Sequence, residues 1–366
     1  MAFVAFEDYT PVVRPNFQAE LDQIIAGVVD HTEKSAEREP TRRAVRSAHA
    51  KAYGLVRASV TVLADLPAEY AQGIYATPGT YDAAIRYSNG LAHVLPDAYL
   101  GAACGMAFKI FGLPGRSLLD DEPDAGTFDY NLINNSTFFC NTVRDYVTIE
   151  PLFAALPAAM AQEAGRKQWL HDFLTGAGKL PPEEWLWDEL TSMLSFTSIG
   201  RSNLLSSSYW SMGALRHGDY IAKVRTTPTT PVSHTTIDVS ADPNAYRTAL
   251  VAELGERDHS FDLQVQLCAD LERMPVENTS RDWPEALSPF VTVARIDIPR
   301  QDISSEANLE AADGVSITPW RVTEEHRPLG EIMEVRREVY RQSSIARHRI
   351  NGQERREPGG IAELFG

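Results

Sequence analysis

The chain has 366 residues, with 34 lysines and arginines against 50 aspartates and glutamates, a formal net charge of −16. That field repels phosphate backbones and argues against a nucleic-acid role unless a local basic patch overrides it. A composition 43% apolar and 23% charged is ordinary for a folded chain and excludes wholesale disorder, and the length suits one large domain or two medium ones.

Residues 1–15, with Pro11 and Pro15, read as an extended arm. Asn16 is a candidate cap for a helix over 18–35, where Leu21, Ile24, Ile25, Val28 and Val29 recur at helical spacing. A charged stretch, 37–46, contains Pro40 and delivers the chain to His49. β-rich runs follow at 56–62, 83–88 and 105–111, bounded by glycines and turn residues. Residues 120–124 form an acidic loop, and 128–139 read as a further strand with Asn134-Asn135 inside it. Three helices are expected over 147–195. Leu152, Phe153, Leu156 and Met160 mark the first, and Trp169, Phe173 and Leu174 the second. Pro181-Pro182 opens the third, through Trp185, Leu186, Leu190 and Met193. Strands return at 220–226, 261–267 and 290–298, and a long helix runs from Gly330 to about residue 350. Strands, then helices, then strands argue for one α+β unit rather than an alternating βαβ sheet.

Several chemistries lack their usual signals. The cysteines, Cys104, Cys140 and Cys268, are odd in number and widely spaced, with no C-x-x-C pair. That argues against structural zinc and a disulfide framework, and suits a reducing cytoplasm. Residues 1–14 lack a basic start followed by an apolar run, so no signal peptide is expected. No stretch approaches the roughly 20 apolar residues of a membrane span. There is no GxxxxGK[ST] loop, no GxGxxG after a strand, no HExxH and no GxSxG.

The C-terminal helix carries the constellation that remains. At about 100° per residue, Arg336, Tyr340 and Arg347 fall within roughly 40° of one another. One face therefore presents a guanidinium, a phenol one turn on, and a second guanidinium two turns beyond. An arginine four residues before a tyrosine can donate to the phenolic oxygen and favour its anion, a hard donor suited to ferric iron. The blander reading is a buried tyrosine flanked by snorkelling arginines.

Arg336-x-x-x-Tyr340 with Arg347 resembles the proximal haem-ligand helix of the haem catalases, in which tyrosine is the axial ligand. The resemblance extends, in order, over most of the chain. Arg46-Ser47-Ala48-His49-Ala50-Lys51 resembles the segment bearing the distal histidine. Ile85-Arg86-Tyr87-Ser88 resembles the strand after it, and Gly105-Met106-Ala107-Phe108-Lys109-Ile110-Phe111 the G-F-A-V-K-F strand. Phe128-Asp129, followed by Asn134-Asn135-Ser136-Thr137-Phe138-Phe139, resembles the segment with the distal asparagine. Tyr209-Trp210-Ser211, residues 261–266, Trp283-Pro284-Glu285, Pro319-Trp320 and residues 325–330 look closer to small stand-alone catalase-related proteins.

The resemblance implies a catalase-type antiparallel β-barrel with flanking helices, α+β in class, enclosing haem b. A single haem-binding domain would span 1–352, with 1–15 as its N-terminal arm and 353–366 as a C-terminal tail. Tyr340 would ligate iron, held as phenolate by Arg336. Arg46, Arg86 and Arg347 would pair with the two haem propionates, whose burial needs cationic partners. Phe138 would lie against the porphyrin. His49 would act as general base, oriented by Ser88. Asn134 would hydrogen-bond peroxide, with Asn135 as the alternative. Taken alone, His49 is an ordinary histidine and an Asn-Asn pair is turn chemistry.

Departures from the family pattern bear on function. Ala48 replaces a bulkier residue before the histidine and should open the distal space. Cys104 stands where an arginine is usual, and Tyr146 where a second pocket phenylalanine is expected. The chain lacks the long arm and extensions of full catalases, which implies a more open pocket and suits a small homo-oligomer such as a dimer. The expected activity is haem-dependent peroxidation of hydrogen peroxide or organic hydroperoxides with weak catalase turnover, in the cytoplasm, with an unidentified reductant. The alternatives are a hydroperoxide isomerase, lyase or biosynthetic haem oxidase, and a haem-binding protein without activity. The excess negative charge is expected outside a locally basic cofactor site.

Overall fold

In a computed structural model of the chain, every residue is described except Met1, Pro40, Thr41, Ala125, Ala161 and Gly366, with the backbone alone for residues 153–158 and 160. Pro40, and the side chains of Phe153, Leu156 and Met160, named above, thus lie outside the described residues. Helix α1 (Phe17–Arg38) buries Leu21, Ile24 and Val28 on one face, as the spacing predicts. Asn16 occupies the cap position but its side chain makes no capping bond. The first turn is held instead by Arg14, which pairs with Glu20 at 2.5 Å.

Strands β1 (Ala52–Val62), β2 (Gly79–Asn89), β3 (Cys104–Phe111) and β4 (Thr127–Ile133) follow as an antiparallel meander. Side chains alternate across it. Ile85, Tyr87, Met106, Phe108, Tyr130 and Leu132 enter the main apolar core. The residues between them, among them Arg86, Ser88, Gly105, Ala107, Asn131 and Ile133, face the helices and carry the site. The strand expected over 128–139 stops at Ile133. The Asn134 amide ends it: Oδ1 accepts the Cys104 N–H at 2.7 Å and Nδ2 donates to the Ala102 carbonyl at 3.0 Å. A side chain that bonds the neighbouring backbone takes the place of the next ladder rung.

Helices α2 (Val143–Met160), α3 (Glu163–Thr175) and α4 (Trp187–Thr197) come next. Pro181-Pro182 opens a short 3-10 turn, Pro182–Glu184, before α4 rather than α4 itself. The chain then returns as β5 (Tyr209–Ser211), β6 (Leu215–His217) and β7 (Tyr220–Pro228). Helix α5 (Ala245–Glu256), β8 (His259–Leu267) and β9 (Val291–Ile298) follow, then α6 (Glu306–Gly314), α7 (Glu331–Ile350) and α8 (Ala362–Phe365). β9 pairs with β1, and β5 with both β4 and β7, so that eight of the nine strands found among the described residues close into a ring. β6 is a hairpin partner of β7 outside that ring. Closure leaves the barrel strands no exposed edge.

Short strands β5 and β6, and helices α5, α6 and α8, are not foreseen by the sequence reading. α6 carries Glu306, Glu310 and Asp313 and buries Ala312 alone, so it shows no apolar stripe. The C-terminal tail is tied to the barrel. Glu357 accepts from Thr127 at 2.8 Å, lies 3.1 Å from Arg321, and pairs with Lys109. Asp129 joins Lys109 and Arg321 in the same buried cluster.

Candidate functional site

α7 is positioned first by its N-terminus. Glu331 accepts the Val143 N–H at 2.7 Å and pairs with Arg14 at 2.6 Å. Val335 then packs with Leu21, Ile24 and Val28 of α1. With that face fixed to α1, the opposite one turns to the barrel. Arg336 Nη2 donates to Tyr340 Oη at 3.0 Å, the expected one-turn contact. Arg336 is buried, and its Nε finds no partner.

His49 sits where the chain enters β1, with φ of 56°. Histidine is among the non-glycine residues that tolerate the left-handed region, at a cost that persists only when the surroundings enforce it. Here they do: its N–H donates to the Gly90 carbonyl at 3.3 Å, and its own carbonyl accepts from Arg86 at 3.0 Å. Nδ1 lies 3.1 Å from Ser88 Oγ. The ring rests on Gly105, where a Cβ would come within 2.6 Å of His49 Cε1. Burial pushes the His49 imidazole down to about 3, and the nearby Arg86, Arg336 and Arg46 guanidiniums add to the effect. At neutral pH the ring is therefore uncharged and able to accept a proton.

Arg46, Arg86 and Arg347 converge from three segments on the C-terminal end of α6. Arg46 Nη2 donates to the Val315 carbonyl at 2.5 Å, Arg86 Nε to that of Ala312 at 2.8 Å, and Arg347 to that of Asp313. Carbonyls at a helix C-terminus are negative in potential and suit cations. The Asp313 carboxylate lies 3.8 Å from Arg46 and 3.7 Å from Arg86, but its side chain is 52% exposed. Burial lowers the affinity of all three arginines for their protons. Arg86 is pushed to about 9, by burial first and Arg46 second, with Asp313 opposing. Arg347 is pushed well below its usual value by burial and by Arg46 and Arg86. The cluster is short of negative charge.

Arg46, His49, Arg86, Ser88, Tyr340 and Arg347 line one cleft with a cavity volume of about 100 Å³. Six of the nine residues named from the sequence are thus brought together, and Arg336 stands behind Tyr340. The other two are not. Asn134 spends its amide on the Ala102–Cys104 backbone, and Phe138 stacks on Phe139 with ring centroids 4.5 Å apart; neither is among the cleft-lining residues. Asn135, the alternative, is occupied by Thr137 and Ser195. Tyr146 packs in the clusters around Cys140 and Val335 and is not among the cleft-lining residues. Asp313, Asn131 and Ile133 do line or face the site and were missed. A run such as Ala311-Ala312-Asp313-Gly314 carries no mark that it will receive three arginines.

No protein-family model matches this chain, and no curated protein does. Solved structures do. A bacterial catalase aligns over 98% of this chain and 65% of its own, at 14% identity and a TM-score of 0.60. A fungal catalase aligns over 100% and 72%, at 13% and 0.56. Catalase A from Saccharomyces cerevisiae aligns over 100% and 75%, at 12% and 0.57. The fold is that of the catalases. The expected antiparallel barrel with flanking helices is therefore present, and the chain spans roughly two thirds to three quarters of these catalases' length.

The residues fit the haem that the sequence resemblance implies. Three guanidiniums face a single half-exposed carboxylate, and the buried Arg347 Nε lacks a partner. A dianion of two carboxylates would match that surplus. A phenol backed by an arginine and an uncharged imidazole line the same cleft. Among the described residues, no helix is long and apolar enough to cross a membrane.

Proposed function

We propose that this chain is a haem-dependent enzyme that cleaves the O–O bond of a peroxide, acting as a peroxidase with weak catalase turnover. One observation carries the reading. A single cleft brings together an arginine-backed tyrosine, an imidazole held uncharged, and three arginines short of a counter-charge. Haem, when bound, supplies the iron at which peroxide is split and oxidising equivalents are held.

The chain's own residues do the rest. Tyr340 Oη offers the ligand oxygen, and the Arg336 bond holds that oxygen in place. Arg46, Arg86 and Arg347 bind and orient the propionates. Ser88 fixes the His49 ring through Nδ1, leaving Nε2 to take a proton from the hydroperoxide and return it to the departing oxygen. Gly105, having no Cβ, lets the ring sit against the barrel wall.

The test is spectroscopic and kinetic. Protein produced with adequate haem should show a ferric high-spin, tyrosinate-type absorption spectrum that Tyr340→Phe abolishes. His49→Gln should keep haem but lower peroxide turnover by about 10² to 10⁴-fold, the range for a general acid–base group. A wild-type protein that takes up no haem sinks the proposal. A second reading, rearrangement of an organic hydroperoxide without external reductant, draws support from the small Ala48 at the cleft. An epoxide or aldehyde product, with no co-substrate oxidised, would favour it.

A further inference from the structure

Ladder register sorts the site into two rungs. Arg86 pairs with Ala107, and Ala107 with Asn131; Ser88 pairs with Gly105, and Gly105 with Ile133. The first rung belongs to the arginine cluster. The second belongs to His49, whose ring contacts Gly105 and Ser88. Ile133 therefore stands on the histidine rung, on the site-facing side of β4. Leu132 and Ile133 both reach the cleft; Leu132 also packs in the barrel core, and Ile133 is 5% exposed.

The amide expected beside His49 is absent from that rung. Asn134, one residue on, is turned to the Ala102–Cys104 backbone, so the pleat places a sec-butyl wall where a donor was expected. Apolar side chains stand nearby, among the arginines, serines and Asn131 that also line the cleft. Ala48, Met212, Ile317 and Val339 line the same cleft. The loop bonded to the His49 and Ala50 N–H groups, beginning at Gly90 and Leu91, exposes Leu91 at 44%, Val94 at 41% and Leu95 at 44%.

Resting on the haem reading above, we infer that Ile133 selects the substrate: the site takes hydroperoxides with an apolar organic group and discriminates against hydrogen peroxide. Hydrogen peroxide presents a second hydroxyl that needs a hydrogen-bond partner, and Ile133 offers none. An alkyl group in the same place is desolvated against Ile133 at a gain. The reaction is ROOH + 2 e⁻ + 2 H⁺ → ROH + H₂O. The O–O bond breaks, one oxygen leaves as water after receiving both protons, and the electrons come from a phenolic reductant that is oxidised in two one-electron steps.

The experiment uses full-length, haem-loaded protein with guaiacol as reductant and compares cumene hydroperoxide with hydrogen peroxide. Wild type should prefer cumene hydroperoxide in kcat/KM by about tenfold or more, and Ile133→Asn should move that ratio toward hydrogen peroxide by about tenfold, the scale of one well-placed polar contact. Ile133→Val should keep the wild-type preference. Fluoride binding to the ferric protein reads the same feature without turnover. It should tighten about tenfold in Ile133→Asn and stay within about twofold of wild type in Asn134→Ala. A fluoride affinity that falls about tenfold in Asn134→Ala, or an Ile133→Asn protein with unchanged ratio and unchanged fluoride affinity, overturns the inference while leaving the haem reading intact. Absence of any haem spectrum overturns both.

Discussion

His49 shows how much one residue's environment decides. Its imidazole is lowered to about 3 by burial and by three guanidiniums, from an ordinary value of about 6.5. The folded state thus binds fewer protons than the unfolded chain between those values. His49 therefore contributes stability that is present above about pH 6.5 and is lost as pH falls toward 3. The acid limb of turnover should lie well below pH 6 in wild type, and an NMR titration of the His49 ring in haem-free protein should show no protonation at pH 5. Filling the arginine cluster with an anion should raise the ring's proton affinity, because the arginine contribution is then offset. Gly105 is the second decisive residue. Gly105→Ala places a methyl 2.6 Å from the ring, so the ring must move. Turnover should drop about 100-fold or more while the haem spectrum survives, and urea denaturation should show a loss of about 1 to 3 kcal/mol. Retained turnover would show that the ring's position against β3 is not required. Neither effect is legible from His49 and Gly105 in sequence, since they lie 56 residues apart.

Elements were legible where their burial pattern is simple. α1 buries one stripe, α7 buries residues toward both α1 and the barrel, and both were found within a few residues. β4 was placed but overextended, because Asn134-Asn135 read equally as strand or turn until the Ala102–Cys104 backbone comes to meet the first amide. If Asn134 ends β4 in this way, Asn134→Ala leaves the Cys104 N–H and the Ala102 carbonyl without that amide. Urea denaturation should then report a loss of about 1 to 3 kcal/mol, the cost of buried groups left unpaired. A loss below about 0.5 kcal/mol would mean the amide is replaceable by water. α6 was missed although it organises the arginine cluster. Its role lies in backbone carbonyls at Ala312, Asp313 and Val315, which any residue type supplies.

At the scale of the molecule, the −16 and the arginine cluster describe a protein that is acidic outside and locally basic within. Three buried guanidiniums around one half-exposed carboxylate disfavour the haem-free state. Arg347→Met should therefore raise the Tm of haem-free protein and lower its retention of haem, the two changes running in opposite directions. Differential scanning calorimetry of the haem-free form, with haem transfer to a competing apoprotein, checks both. A lower Tm without change in haem retention would assign Arg347 a structural role alone. The tail is part of this organisation. Glu357 reaches the Lys109–Asp129–Arg321 cluster under the barrel, so a chain lacking its last residues should lose stability beyond what α8 contributes.

By itself the sequence determined the α+β class, the long helices, and the set of arginines, histidine and tyrosine that meet in the cleft. The class, the helices and the Arg336, Tyr340 and Arg347 face follow from local periodicity, whereas Arg46, His49 and Arg86 follow from the resemblance to the haem catalases. The tertiary structure alone decided which asparagine faces the site, and the answer is neither of the two in the Asn-Asn pair. A strand's side chains alternate strictly, so a shift of one position moves a residue from the cleft to the backbone beside it. Only the pairing of β4 with β3 sets that register, and it places Ile133 beside His49.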